Sequence, residues 1–177
     1  SRIREEWARH GPRVPLEVEG LGTLTVDTAF GGDSFVMVDA KALGFALTPD
    51  EAHDIAVLGA RITKAGTEAL GFHHPTNPDW RHFSFCLFAG EVTRQGHELT
   101  AGSAVAIQPG KVDRSPTGTA LSARMAVLYA RGQMGLQDRL TTRSLIGSTF
   151  AGRILSICLP SAQGCRPLER TTVHAYP

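Results

Sequence analysis

The residues of this chain best placed to do chemistry are Asp113-Arg114-Ser115-Pro116-Thr117-Gly118-Thr119. They follow an apolar, strand-like stretch, Ala104-Val105-Ala106-Ile107, and lead into a helical pattern from Leu121 to Arg131. Pro116 disfavours helix for the residue before it. Small residues then stand where a helix would open. The first N–H groups of a helix have no partner inside it and carry partial positive charge, so they suit a carboxylate or a phosphate. Asp113, just outside that terminus, could hold a cation such as a protonated amine. Together the two suit a zwitterion. An amino acid fits better than a phosphate ester, which Asp113 would repel. The same residues also fit a simpler role, in which Asp113 and Ser115 form an Asx or Ser turn and cap the helix.

The motif resembles the second catalytic signature of the proline racemase family, Asp-Arg-Ser-Pro-Cys/Thr-Gly-Thr-Gly. That family includes 4-hydroxyproline epimerases and trans-3-hydroxy-L-proline dehydratases. The likeness runs on through Ser122-Ala-Arg-Met-Ala-Val-Leu-Tyr-Ala-Arg-Gly-Gln-Met134 and resumes over Ser144–Arg153. Upstream, Val26-Asp-Thr-Ala-Phe-Gly-Gly32 and the step His74-Pro75 also fit. It covers residues 14–155 and leaves 1–13 and the tail 156–177 unmatched. The resemblance implies an α+β, diaminopimelate-epimerase-like domain, with a mixed sheet wrapped around a central helix. Such a domain is one of the two pseudo-equivalent halves of a complete family member. Cofactor-independent chemistry on a proline-like amino acid, with no metal, is implied as well.

Position 117 sets the expected reaction. Racemases and epimerases of this family carry cysteine there and a second cysteine, in a Cys-Gly-His motif, in the other half. One thiolate removes the α-proton while the opposing thiol returns a proton to the other face. Cysteine suits this because its unperturbed pKa is about 8.5 and a helix N-terminus lowers it. Threonine does not ionise in that range, so Thr117 leaves one face without a proton donor. A substrate hydroxylated at C3 can then resolve its carbanion by expelling hydroxide, as the family's dehydratases, which resemble this chain at Thr117, do. The implied activity is trans-3-hydroxy-L-proline dehydration to a pyrroline-2-carboxylate. The alternatives are a proline racemase or 4-hydroxyproline epimerase, and a non-catalytic fragment that binds proline-like ligands weakly.

Carried over residue by residue, the resemblance gives Asp113 the ring nitrogen, and the N–H groups of Gly118 and Thr119 the carboxylate. The same donors would stabilise charge as the α-carbon is deprotonated. Thr117 would face the side opposite the base, its hydroxyl orienting substrate or a water. His97 stands about where epimerases place a histidine against the substrate hydroxyl. Ala120 departs from the family's glycine, and Leu121 follows where dehydratases often carry cysteine. A methyl at position 120 either crowds the carboxylate site or is absorbed.

No Cys-Gly-His or Ser-Gly-His occurs in the 177 residues, so the catalytic base is expected in an absent first half. Together with the unfamiliar tail, this suggests a truncated or frame-altered reading of a longer gene, or a degraded paralogue. Of the three cysteines, Cys86 sits in an apolar run, His82–Phe88, and reads as a buried small hydrophobe. Cys158 and Cys165 fall in the tail. A surface that would face the missing half is expected to be an apolar patch, suited to that half or to a homodimer.

Composition narrows the rest. The length is enough for one domain with a real core. Eighteen Lys and Arg against 17 Asp and Glu argue against nucleic acid or an anionic membrane as the main partner. No apolar run approaches the ~20 residues of a membrane span, and no signal peptide opens the chain. Cysteines without framework spacing favour a reducing compartment, so cytoplasm is the expected location. The seven histidines lack ligand spacing, and Gly31-Gly32 lacks dinucleotide-loop spacing, which leaves a bulge or a close backbone approach. His73-His74-Pro75 reads as a structural turn, and Arg114 and Arg124 as ion-pair or surface residues.

The elements needed to position the motif are also legible. Leu16–Phe30 alternates as a hairpin around Gly20-Leu21-Gly22, with Leu24, Val26 and Thr28 on one face. Phe35–Val38 is a short strand. Thr48-Pro49-Asp50-Glu51 predicts a capping box opening a helix with Ile55, Leu58 and Ile62 at helical spacing, ending near Gly71. Strands are predicted at His82–Phe88, Ser103–Ile107, Leu140–Ile146 and Phe150–Ile157. Helix Leu121–Arg131 is apolar at Leu121, Met125, Ala126, Val127 and Leu128, and should be buried.

Overall fold

The computed structural model describes residues 13–74 and 77–155, and farther on the backbone of three short strands. Strands β1 (Val14–Val18) and β2 (Gly22–Phe30) form the expected hairpin, and β3 (Ser34–Asp39) pairs with β2 antiparallel. Helix α1 (Ala52–Ala69) then returns the chain to β4 (Phe85–Ala89), which lies parallel to β3. A second hairpin joins β5 (Thr93–Gln95) to β6 (Glu98–Ile107), and β7 (Lys111–Val112) pairs with the far end of β6. Helix α2 (Gly118–Ala130) leads to β8 (Arg139–Arg143), parallel to β6, and β9 (Thr149–Ile154) follows antiparallel. Strands β10 (Pro160–Ser161) and β11 (Gly164–Cys165) pair with each other, and β12 (Thr171–His174) adds to β9. The main sheet runs β1-β2-β3-β4-β6-β8-β9-β12.

Two parallel crossovers organise this mixed sheet, β3-α1-β4 and β6-α2-β8. Because β4 and β6 are antiparallel, the second crossover starts from a strand running opposite to the first. Both step the same way across the sheet, so a common hand requires their helices on opposite faces. That is the arrangement found. Val36, Val38, Cys86, Phe88, Ala104 and Ala106 pack with Ile55 and Ile62 of α1. Their neighbours Phe35, Met37, Leu87 and Val105 pack with Ala120, Ala123 and Val127 of α2. Buried on both faces, β3 and β4 read as continuous apolar runs instead of alternating ones. The sheet wraps around α2, which packs on Ala29 of β2 at one side and on Leu140 and Ile154 of β8 and β9 at the other. This is the expected α+β architecture.

The helix starts follow the local signals. Glu51 accepts from the N–H groups of Thr48 and Ala46, and Pro49–Glu51 forms a 3-10 turn before α1. On α2, Leu121, Met125, Val127 and Leu128 are buried as expected, but Ala126 is exposed. It belongs to an outward stripe with Tyr129, which the helical period turns away from the sheet.

The strand expected over Phe150–Ile157 ends at Ile154, with residues 156 and 157 outside the described ones, and three other strand boundaries differ from expectation, each for a local reason. The strand predicted through Ile146 stops at Arg143, because Ser144 N–H bonds to Ser148 O and the chain turns back. Ile146 stands on that turn, 62% exposed. The strand at Phe85 starts three residues late, since Ser34 and Trp80 side chains bond to the carbonyl of His82 before the ladder begins. Strand β6 begins at Glu98 instead of Ser103, extended by its pairing with β5 and β8.

Candidate functional site

The motif forms the connection from β7 to α2. The N–H of Asp113 bonds to Val105 O of β6, and the hydroxyl of Ser103 reaches Pro116 O. From the other side, the Ser148 hydroxyl holds Arg114 O. The loop is therefore fixed between β6 and the β8–β9 turn.

Inside the loop, Asp113 is the organiser. Its Oδ1 accepts from the N–H and the hydroxyl of Ser115, at 2.9 and 3.1 Å, and its Oδ2 accepts from Thr117 Oγ1 at 2.5 Å. Ser115 Oγ in turn accepts from Thr117 N–H at 3.1 Å. The Asx turn read from the sequence is thus present, and it does not exhaust the carboxylate. A carboxylate offers about four lone-pair sites. The loop fills three, leaving Oδ2 able to accept one more donor from outside.

Thr117 adopts φ 64° and ψ 113°, a region that side chains with a Cβ rarely occupy. The hydrogen bonds to Asp113 and Ser115 hold it there. Leu121 N–H is bonded to Thr117 O. The N–H groups of Gly118, Thr119 and Ala120 belong to the turn that helix geometry leaves without internal acceptors. A Cβ built on Gly118 would meet nothing within 4 Å among the described residues, which leave this side of the helix terminus open. Ala120, in the first turn of α2, is fully buried on the face toward the sheet, packed with Phe35 and Leu87. Its methyl points into the core, away from the open side.

The Gly31-Gly32 turn between β2 and β3 seats on this terminus. A Cβ at Gly31 would lie 2.2 Å from Thr119 O and 2.5 Å from Ala123 N, so only glycine admits this approach of backbone to backbone. Of a bulge and a close backbone approach, the structure has the close approach at Gly31. The other end of α2 is tied to the same strand, where Arg131 Nη2 reaches both oxygens of buried Asp27 at 2.7 and 2.6 Å. Burial raises the Asp27 carboxyl above its ordinary value, with Arg131 and Arg124 acting against it. Midway, Arg124 donates to Gly90 O, and burial brings its guanidinium down to about 10. These two long-range arginine contacts fix α2 relative to β2 and β4. No sequence spacing announces them.

Asp113, Thr117, Gly118 and Thr119 are brought together, and His97 is not. His97 lies on the β5–β6 turn, at the start of β6, whereas Asp113 bonds at Val105. From Glu98 to Val105 the strand runs about 23 Å. His97 Nδ1 instead meets Asp138 Oδ1 at 2.9 Å, and its side chain is 69% exposed. Asp138 also takes both terminal nitrogens of Arg94 and the N–H of Gly135, which hold its carboxyl well below the usual range.

Other candidates have structural positions. His74 stacks on Trp80, 4.9 Å between centroids, beside Phe30 and Phe72. Cys86 is fully buried, which pushes its thiol up. Pro75, Cys158 and the side chain of Cys165 lie outside the described residues. Among the described residues no group of three or more His, Cys, Asp or Glu could hold a metal ion, and no helix is long and apolar enough to cross a membrane.

Solved structures with this fold include a probable proline racemase from Agrobacterium radiobacter K84 with bound carbonate. It has 24% identity and a TM-score of 0.77 over 93% of this chain and 45% of that one. A hydroxyproline epimerase from Agrobacterium vitis with bound trans-4-hydroxy-L-proline matches at 27% identity and TM-score 0.73, over 90% of this chain and 43% of that one. Methylitaconate-delta-isomerase shares the fold at 10% identity and TM-score 0.52, over 94% and 47%. This chain therefore spans less than half the length of each. The family model described as proline racemase matches residues 8–164, a stretch wider at both ends than the motifs alone delimit. The motif opens the helix that the sheet surrounds, and the family's pattern runs through nearly all the elements that hold it there; the chain belongs to the proline racemase family.

Proposed function

We propose that this chain supplies the half-site that binds the carboxylate and amine of a proline-like amino acid, and that the reaction it serves is dehydration of trans-3-hydroxy-L-proline. The observation that carries the reading is the Thr117–Asp113 hydrogen bond beside the open N-terminus of α2. Asp113 keeps one acceptor position on Oδ2 for the ring ammonium. The N–H groups of Gly118 and Thr119 suit the carboxylate, and they hold the charge that grows on it when Cα loses its proton. At the place where the family's racemases carry an ionisable thiol, Thr117 offers a hydroxyl already donated to Asp113. It has no proton for the opposite face of Cα. The carbanion is instead relieved by breaking the C3–O bond: hydroxide leaves, the enamine forms, and tautomerisation gives the pyrroline-2-carboxylate. The base that takes the α-proton is expected in the family's other half.

Isomerisation is the second reading, favoured by the likeness to a hydroxyproline epimerase. The two separate in D2O. The protein is incubated with trans-3- and trans-4-hydroxy-L-proline and followed by NMR. Pyrroline-2-carboxylate from the 3-hydroxy isomer supports dehydration. Deuterium at Cα with inverted configuration supports isomerisation and sinks the dehydratase reading. Thermal protection by proline that vanishes in Asp113→Ala, without turnover, makes the chain a binding half-site. Protection that survives Asp113→Ala refutes the pocket. Beside a complete first half, Thr117→Cys should gain exchange at Cα, and its failure to do so would refute the argument from the missing proton donor.

A further inference from the structure

On the face of the sheet turned away from α2 lies a cleft of about 580 Å³, within the size range of small-ligand pockets. Its floor is built in register. Thr93, Thr100 and Thr141 are successive neighbours across β5, β6 and β8, and the Thr93 and Thr100 hydroxyls lie 2.6 Å apart. Two residues along, Gly102, Arg143 and Thr149 form a second row across β6, β8 and β9. The alternate residues Leu99, Ala101 and Leu140 belong to the core around α2, so the two rows share the other face. The loop after β3 makes the wall. Leu47 closes over Gly102, where a Cβ would lie 2.8 Å from its Cδ1.

The charges in the cleft are unequal. Lys41 and Glu91 pair with each other at 3.1 Å. Arg143 is exposed, and among the described residues no acidic partner meets it. One free guanidinium therefore stands beside a field of hydroxyls. A guanidinium fork matches a carboxylate or phosphate, and threonine hydroxyls both donate and accept, as ligand hydroxyls do.

We infer that this cleft binds a small polyhydroxylated anion, with Arg143 on its charged group and the threonine row on its hydroxyls. The site is separate from the motif and independent of the reaction proposed for it.

The test uses threonine-methyl NMR of the chain. Gluconate and glucose 6-phosphate carry a carboxylate and a phosphate on similar polyols, sorbitol carries the hydroxyls alone, and acetate the charge alone. Either polyol anion should shift the methyls of Thr100, Thr141 and Thr149 saturably while Thr117 and Thr119 stay in place. Which of the two binds identifies the charged group. Sorbitol and acetate should bind about 10-fold more weakly, and Arg143→Met should weaken the anion by about 10-fold. Thr141→Val should weaken it several-fold. Both side chains are at least partly exposed, so an unchanged remainder of the spectrum verifies that the variants fold. No saturable shift by either anion, shifts confined to Thr117 and Thr119, sorbitol binding as tightly as gluconate, or binding indifferent to Arg143→Met would each overturn the inference.

Discussion

Two aspartates, Asp113 and Asp138, each gather donors, and they do so to different ends. Asp138 takes four: both terminal nitrogens of Arg94, Nδ1 of His97 and the N–H of Gly135. Those donors come from the β5–β6 hairpin and from the loop after α2, so the buried carboxylate cross-links distant segments and is saturated. Asp113 takes three, all from its own loop, and keeps an acceptor position at a partly open surface. A full shell makes a structural joint. A shell one short, beside open helix N–H groups, is the arrangement that we propose receives a ligand.

The contrast can be broken most forcefully at the joint. Asp138→Ala removes four hydrogen bonds but leaves Arg94 and His97 open to water, and should cost about 2 kcal/mol, read from urea unfolding midpoints. A loss below about 1 kcal/mol would mean that the cross-link is weak. Acid acts on the same residue. Its folded pKa is depressed, so its contribution is fully present above the unfolded value of about 3.9 and is lost as pH falls below that toward the folded value. Gly135 N–H should then lose hydrogen-exchange protection before the core does. Asp27 works in the opposite sense. Its folded pKa is raised, so the stability it contributes when protonated is lost as pH climbs from the unfolded value through the folded one.

At the site, Gly31→Ala forces a methyl against the backbone of α2 and should cost about 2 kcal/mol, with loss of any ligand protection at Thr119. Asp113→Ala should cost less, about 1 kcal/mol, because water replaces the loop's donors at a partly exposed position. Its effect on protection by proline should nevertheless be complete. The smallest difference lies at Thr117. Thr117→Val loses the hydroxyl and keeps the strained φ, whereas Thr117→Gly loses the hydroxyl and relieves it. Glycine should be the more stable by about 1 kcal/mol, and the reverse order would show that the conformation is unstrained.

Where a residue's partner lay nearby in sequence, the sequence was readable. The Gly20-Leu21-Gly22 turn, the Thr48–Glu51 cap and the Asx turn at Asp113 each involve residues within four or five positions, and each formed. Position 117 could be weighed chemically because the difference between threonine and cysteine lies in the side chain itself. The β5–β6 hairpin leaves no mark in the apolar sequence pattern, because Thr93, Arg94 and Gln95 are all exposed and show no alternation. His97 came from the family resemblance alone, and its place on the β5–β6 turn, paired with Asp138, is set by partners that no local period encodes. Gly96, with φ 60° on that turn, was the available signal. Arg131–Asp27 and Gly31–Thr119 join positions about ninety to a hundred residues apart, which no local period encodes.

Strand β6 divides its allegiance at the step from Gly102 to Ser103. Before it, the strand pairs with β5 and β8; after it, with β4 and β7. One continuous strand thus couples two bodies of structure, the β1–β4 side with α1 and the β8–β9 side. Cooperativity between them passes through this stretch of backbone and through α2, which packs on both sides. A proline at Ser103 would remove one amide from this strand and fix its φ, which should weaken that coupling and broaden the unfolding transition, α2 still joining the two sides. The motif loop, pinned to Ser103 and Val105 on one side and to Ser148 on the other, spans that divide. Its integrity would then report whether the two bodies are still engaged.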